Sequence, residues 1–362
     1  MAIRVAIVAD DLTGALDTGT PFVDAGLSVA VAVDVEVVED VIATGAEVVV
    51  VNTVSRALDP HRAADRVRQA AAALGRASPE FAMKKIDSRL KGNVAAESEA
   101  LAIALGRRRL LVAPAVPDQG RFTREAHVAG FGVAEPLPVA PLFSGRAMEV
   151  RIADAASDED LDGIVASVDW ATSVGVGARG LGRALARRLA RHKSPAPFEP
   201  SPRTLFAFGS RDPITEEQMT VLLESGFIAS RRDARAGDVP RNGEPARLPM
   251  LIRCTGALTE ASEIVAERFA EGVSKIVAAT NPDMLMMGGG DTAYAILHSL
   301  GARVLVPKGE IEAGVPWFET ERGEGEPMRC AVKSGGFGNA RSLLKVLRDG
   351  PVFSVRGDEQ DG

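Results

Sequence analysis

The sequence predicts an α/β protein of two α/β domains, each with a mostly parallel sheet flanked by helices. Three observations predict it. Short runs of Val, Ile and Ala alternate with helix-period segments through the first half, a proline-rich stretch interrupts the chain, and a second alternating pattern follows it. The 362 residues are also long for one hydrophobic core. With 46% hydrophobic and 25% charged residues, the composition is that of an ordinary globular protein. The net charge of −7 has the wrong sign for nucleic acid or an anionic membrane as partner.

Taken in order, "IRVAIVA", "LSVAVAV", "EVVVVNT", "FAMKKID" and "RLLVAPA" are nearly continuous in apolar character, as strands covered on both faces are. Between them, "PHRAADRVRQAAAALG" and "NVAAESEALAIALG" carry apolar residues at helical spacing and a closing Gly. This order implies right-handed βαβ units, whose ligands collect at the carboxyl ends of the strands. The run Arg107-Arg108-Arg109 reads as a helix-end cap. Residues 194–203, rich in Pro, read as a linker, giving domains of 1–193 and 204–355. In the second domain "TLFAFGS", "PMLIRCT", "VSKIVAAT", "ARVLVPKG" and "MRCAVKSGG" read as strands, with "TEASEIVAERFAEG" and "DTAYAILHSLG" as helices. The polar tail 356–362 is expected to be disordered. Cys254 and Cys330 lack any metal-ligand or redox spacing and read as buried, reduced thiols; no residue is assigned to a metal. No secretory segment or bilayer-length apolar run is visible, so a cytoplasmic protein without a membrane partner is expected.

The first strand stops at two adjacent carboxylates, Asp10 and Asp11. One could cap the following helix, but two are redundant, and they repel unless something positive or hydroxylic shares them. Other strand ends add Arg56, then Lys84, Lys85, Asp87, Ser88, Lys91 and Asn93, then Arg121. Acids and amides bind hydroxyls while Arg and Lys bind carboxylates, so this rim suits a small polyhydroxy acid. Its candidate ligands are Asp10, Asp11, Arg56, Lys85, Asp87, Ser88, Asn93 and Arg121. The second half offers Gly288, Gly289 and Gly290 before a helix opening at Asp291 and Thr292, and Gly335, Gly336 and Gly338 after a strand. Bare amides at a helix start attract anions, and two such loops suit the phosphates of a nucleotide. Neither fits the P-loop pattern of GxxxxGK followed by Ser or Thr.

Together these stretches resemble the four-carbon acid sugar kinase family. Its "ADDLTGALD" signature is matched at residues 9–17, and its "KIDSTLRGN" signature appears as "KIDSRLKGN". Its "PAxPxxGRxT" segment appears as "PAVPDQGRFT", and its "GS" with a following Thr and Gln as Gly209-Ser210, Thr215 and Gln218. "GGDTA" at 289–293 and "KSGGFG" at 333–338 complete the set, in family order over nearly the whole chain. The resemblance implies an ATP-dependent kinase for acids such as threonate, erythronate or their 3-oxo relatives, with Mg²⁺ as the companion of ATP. The N-terminal domain would bind the acid and the C-terminal domain the nucleotide, with the active site in the cleft between them. Asp10, Arg56 and residues 87–93 would hold substrate; Ser210, Gly289 to Thr292 and Gly338 would hold ATP. The chain departs from the family pattern at Arg89, at Asn339-Ala340-Arg341 and in a shortened segment after Gly130. A homodimer is compatible with this reading.

Phosphoryl transfer depends on positioning and charge neutralisation, so Asp10 or Asp87 is expected to take the proton of the attacking hydroxyl, and Lys85 or Arg121 to neutralise the transferred group. Two rivals stand beside this. A phosphatase of the haloacid dehalogenase type wants a second acid two residues after the nucleophile, where this chain has Leu12 or Thr13. A non-catalytic sugar-acid sensor would keep the fold without turnover.

Overall fold

Apolar runs of five residues or fewer, buried on both faces, form the centre of the first half. The computed structural model describes residues 3–191, 195–240, 245–257, 259–321 and 327–347. The first strands are β1 (Val5–Ala9), β2 (Val29–Ala32), β3 (Val48–Asn52), β4 (Phe81–Lys85) and β5 (Arg109–Ala113). A small antiparallel sheet follows, formed by β6 (Arg121–Arg124), β7 (His127–Gly130) and β8 (Leu137–Pro138), and then β9 (Glu149–Ile152) and β10 (Ser173–Gly177). The helices are α1 (Leu12–Asp24), α2 (Val38–Ala43), α3 (Pro60–Arg76), α4 (Val94–Ala104), α5 (Asp158–Ala166) and α6 (Arg179–Leu189). The second half holds β11 (Thr204–Phe208), α7 (Pro213–Glu224), β12 (Ser230–Arg235), β13 (Met250–Thr255), α8 (Ser262–Thr280) and β14 (Met284–Gly288). It closes with α9 (Gly290–Ser299), β15 (Val304–Glu312), β16 (Val315–Thr320) and β17 (Met328–Lys333).

The expected mixed α/β architecture is present, with one feature that the sequence does not display. The first half orders its strands β2-β3-β1-β4-β10-β5-β9, all parallel. The second orders β12-β13-β11-β14-β17 parallel, then turns antiparallel through β16 and β15. β15 pairs antiparallel with β2 at Val304–Ala32 and Leu305–Val31, so both halves share one continuous 14-stranded sheet. Strands in the two halves therefore run in opposite directions. At a twist of roughly 20–25° per step, the six steps from β1 to β14 turn one half well past a right angle relative to the other. That rotation brings the two carboxyl rims round to face one cleft.

Several local readings are corrected. "VSKIVAAT" is the end of α8, not a strand: Val273, Ile276 and Val277 are buried at helical spacing, and the helix ends only at Asn281 with φ 44°. Gly272, inside that helix, lets it approach Val239, whose Cβ would lie 2.5 Å from a Cβ at this position. The Arg107 amide closes the end of α4 by donating to the Ala102 carbonyl at 2.9 Å, but its side chain serves elsewhere. It is buried, and its guanidinium donates to the carbonyls of Ser173 at 3.0 Å and Pro79 at 2.6 Å, tying together the chain entering β4 and β10. Linker residue Ser201 is docked, its amide donating to the Val346 carbonyl at 3.0 Å. Cys254 and Cys330 are buried thiols, as expected. The tail 356–362 lies outside the described residues.

Gly180 in α6 is a position of close approach: a Cβ there would overlap the Ala115 carbonyl oxygen and stand 3.0 Å from Leu161 Cδ1. Gly180→Val is expected to cost roughly 1–3 kcal/mol by overpacking. Urea unfolding checks it, and an unchanged midpoint would show that α6 can move away freely.

Candidate active site

The two adjacent acids are resolved by one cation. Asp10, the residue after β1, is almost fully buried, at 1% exposure, and accepts Arg56 Nε at 2.8 Å and Arg56 Nη2 at 2.9 Å. Asp11 is the N-cap of α1 and accepts the Gly14 amide at 3.0 Å and the Thr13 hydroxyl at 2.5 Å. The same guanidinium reaches Asp11, through Nη1 at 3.0 Å and Nη2 at 2.9 Å. Burial pushes the Asp10 carboxyl up, but Lys84, Arg56 and Lys85 outweigh it and hold it below the usual carboxylate range. Gly14 lies inside α1. The absent Cβ leaves room for Asp11 and for Lys85, whose Nζ stands 3.0 Å from where that Cβ would be.

Beneath this pair lies a closed polar network. Lys84, fully buried, pairs with Glu97 at 3.2 Å, Glu97 accepts the Ser55 hydroxyl, and Ser55 bonds Thr53 at 2.6 Å. Asn93 turns away from the rim. Its Nδ2 donates to the Leu58 carbonyl at 2.8 Å, so it anchors the Arg56 loop instead of facing a ligand. Asp87 accepts the Arg89 amide at 2.8 Å, and Arg121 donates to Ser88 at 2.5 Å and Gln119 at 2.9 Å. Lys85, Asp87, Ser88, Arg89 and Arg121 line the cleft beside Asp11 and Arg56.

The opposite wall is built at the carboxyl ends of three neighbouring strands, β11, β14 and β17. The Gly209 amide donates to the Gly288 carbonyl at 3.2 Å and the Gly289 amide to the Lys333 carbonyl at 3.0 Å, so the three loops lie side by side. Gly289, with φ 96°, caps α9, which opens with Gly290, Asp291 and Thr292. The Thr292 side chain lies against Gly209 and the Asp212 side chain against Gly335. The 334–338 loop is held from behind: Lys333 Nζ donates toward the carbonyls of Ser334, Gly335 and Phe337 at 2.9–3.0 Å. Thr215 donates to the Gly335 carbonyl at 2.9 Å and Gln218 to those of Phe337 and Asn339 at 3.0 Å. With its carbonyls engaged on one side, the loop is left with glycine amides for an anion on the other. Burial pushes the Lys333 ammonium down to about 8, opposed by Asp212 and Glu312. Burial and Asp11 push the Asp291 carboxyl up.

A third group was not singled out from the sequence. Arg179, the first residue of α6, is buried and donates to Asp17 at 2.9 Å, with Glu310 at 3.2 Å and Asp118 at 3.7 Å. Glu310 belongs to β15, so this guanidinium joins the two halves, as does the Tyr294 hydroxyl, which donates to Asp34 at 2.8 Å. Asp17 closes the "ADDLTGALD" stretch and Lys333 opens "KSGGFG", which is the signal that could have found them.

One cleft of about 860 Å³ is lined by the Asp11, Arg56, Lys85 and Arg121 side, by Asp17 and Arg179, and by Ser210, Asp212 and the 334–338 loop. Another hollow of about 810 Å³ lies near Pro79, Leu105 and Trp170 and gathers none of the rim loops. Among the described residues no cluster of three His, Cys, Asp or Glu side chains is disposed to hold a metal, and no helix is long and apolar enough to cross a membrane.

A charged rim and a glycine-loop rim line one cleft between the two halves of this α/β protein. Residues 5–138 match the family model described as a sugar-binding N-terminal domain, and residues 245–343 the one described as a nucleotide-binding C-terminal domain. The chain is 28% identical over 397 aligned positions to a D-threonate kinase of Bordetella bronchiseptica, covering 95% of this chain and 96% of that one. It is 25% identical over 424 positions to a 3-oxo-tetronate kinase of Methylobacterium radiotolerans, covering 96% and 99%. A solved structure from Salmonella typhimurium LT2 shares the fold, with a TM-score of 0.74, 19% identity, and 95% and 99% coverage. The chain belongs to the four-carbon acid sugar kinase family.

Proposed function

We propose that this protein is an ATP-dependent kinase that phosphorylates a hydroxyl of a four-carbon sugar acid such as threonate, erythronate or a 3-oxo-tetronate. The observation that carries the reading is the cleft in which the Asp11, Arg56, Lys85 and Arg121 rim faces Ser210 and the Gly335 loop. Residues 1–193 serve as the acid-binding unit and 204–355 as the nucleotide-binding unit, joined by 194–203.

The proposed roles divide across the cleft. Arg56 is already forked between Asp10 and Asp11, so it fixes the shape of the acid site more than it offers a free charge. Lys85 and Arg121, with Ser88 and Asp87, are the groups left to hold the substrate's carboxylate and hydroxyls. Asp10, buried and clamped, positions Arg56, while Asp11 faces the cleft, the reverse of a strand-end Asp10 reaching for the ligand. Ser210, Gly288 to Thr292 and Gly335 to Gly338 hold the phosphates of ATP. Among the described residues no cluster of three acidic, His or Cys side chains is disposed to hold a metal; Mg²⁺ would arrive with ATP and neutralise phosphate charge.

Mixing the full chain with ATP and a panel of four-carbon aldonic acids, neutral tetroses and other sugars, and following ADP, tests this. Turnover is expected with a four-carbon acid and above that with any neutral sugar. ADP release that ignores the acid, or prefers neutral sugars, would overturn the substrate class. Binding of both ligands without ADP release would favour the sensor.

A further inference from the structure

Of the two acids expected to serve as base, Asp87 lines the cleft, whereas Asp10 is poorly placed, as is its neighbour Asp11. Asp10 is 1% exposed, with both oxygens on Arg56, and Asp11 is bound by Arg56, Thr13 and the Gly14 amide. A third carboxylate on the same helix differs. Asp17 lies one turn after Thr13 on α1, lines the main cleft, and also lines the small cavity formed with Thr13, Ser334 and Phe337. It therefore stands where the acid-binding helix meets the loop assigned to the phosphates. Its partner is Arg179, which also serves Glu310 and, at longer range, Asp118, itself bound by Arg183 at 2.5 Å.

We propose that Asp17 is the proton acceptor of the transfer reaction, an inference that rests on the kinase reading above. The substrate hydroxyl gives its proton to an Asp17 oxygen as its own oxygen bonds the γ-phosphorus. The bond from that phosphorus to the β,γ-bridging oxygen breaks, ADP leaves with the electron pair, and Asp17 returns the proton to water. Arg179 is a positioning residue, holding the carboxylate toward the cleft. Burial pushes Asp17 up to about 6, helped by Glu310 and Asp118 and opposed by Arg179 and Lys85, which suits a base working near neutrality. The same shift means that ionised Asp17 disfavours the folded state: between pH 3.8 and about 6 the folded chain holds a proton that the unfolded chain has lost, so stability falls as pH rises through that window.

The test is steady-state kinetics of the full chain with ATP and D-threonate or D-erythronate across pH, for the wild type, Asp17→Asn and Asp87→Asn. The wild type should lose kcat/KM with unit slope below about pH 6. Asp17→Asn should lose roughly 10²–10⁴-fold in kcat, keep both KM values within about threefold, lose the acid limb, and melt no lower than the wild type. A purely structural ion pair would give the opposite, a lowered melting temperature with kcat retained. Asp17→Glu, which keeps the charge beside Arg179 but moves it by one methylene, should fold and lose at least about tenfold in kcat. An unchanged rate in either Asp17 variant, or an acid limb abolished by Asp87→Asn instead, overturns the inference while leaving the kinase reading intact. A wild type without turnover on any acid overturns the kinase reading itself and the inference with it.

Discussion

Arg56→Met is expected to lower unfolding stability by roughly 3–5 kcal/mol and to abolish measurable turnover, because it leaves the buried Asp10 without the fork that neutralises it. Four hydrogen bonds from one guanidinium to two adjacent carboxylates are lost together. Lys84 remains near Asp10 but is committed to Glu97, and so cannot replace them. Asp10→Asn in the Arg56→Met background should restore part of the loss, since it removes the stranded charge, and a double-mutant cycle in urea reads the coupling. The pH dependence has a defined sign. Asp10 is depressed in the folded state, so its contribution is present above the unfolded value of 3.8 and is lost as pH falls through the lower folded one. The gap between wild type and Arg56→Met should accordingly narrow on acidification. A loss below about 1 kcal/mol would place the fork among ordinary exposed ion pairs.

Lys333→Met should weaken ATP binding by at least about tenfold, equivalent to roughly 1.4 kcal/mol, with little change in acid binding. The ammonium gathers three carbonyls of the 334–338 loop and the Thr215 hydroxyl, and without it buried acceptors turn toward an apolar side chain. Thr215 and Gln218 still hold the Gly335 and Phe337 carbonyls, so the loop should persist in a looser form. Isothermal titration of the full chain with ATP decides the matter, and unchanged affinity would sink the anchoring role. A second signature follows from the burial of this lysine. The folded chain releases the proton near pH 8 and the unfolded chain near 10.5, so wild-type stability should rise with pH over that window and the Met variant should lack the rise.

The pattern of apolar runs was enough to specify parallel βαβ units in the first half, because strands buried on both faces must be apolar throughout and crossover helices must repeat at 3.6. The same pattern failed at "VSKIVAAT", where a helix buried along one side carries a short apolar run of strand-like composition. It also missed β12, whose alternating Arg and Asp residues belong to an exposed sheet edge. Motif residues at strand ends were legible because chain direction alone carries them to one rim. Which of them face the ligand was not. Asn93 bonds backwards to a loop carbonyl and Asp10 sinks beneath Arg56, and both outcomes depend on groups 35–46 residues away. By itself, then, the sequence determined the α/β class, the two rims and the residue types available to each. Only the tertiary structure decided that β15 joins β2, that the resulting twist turns the rims to face each other, and that Asp17, Arg179 and Glu310 meet from three distant elements. Local pattern encodes burial and strand direction, whereas sheet closure and shared charges depend on contacts between residues more than a hundred positions apart.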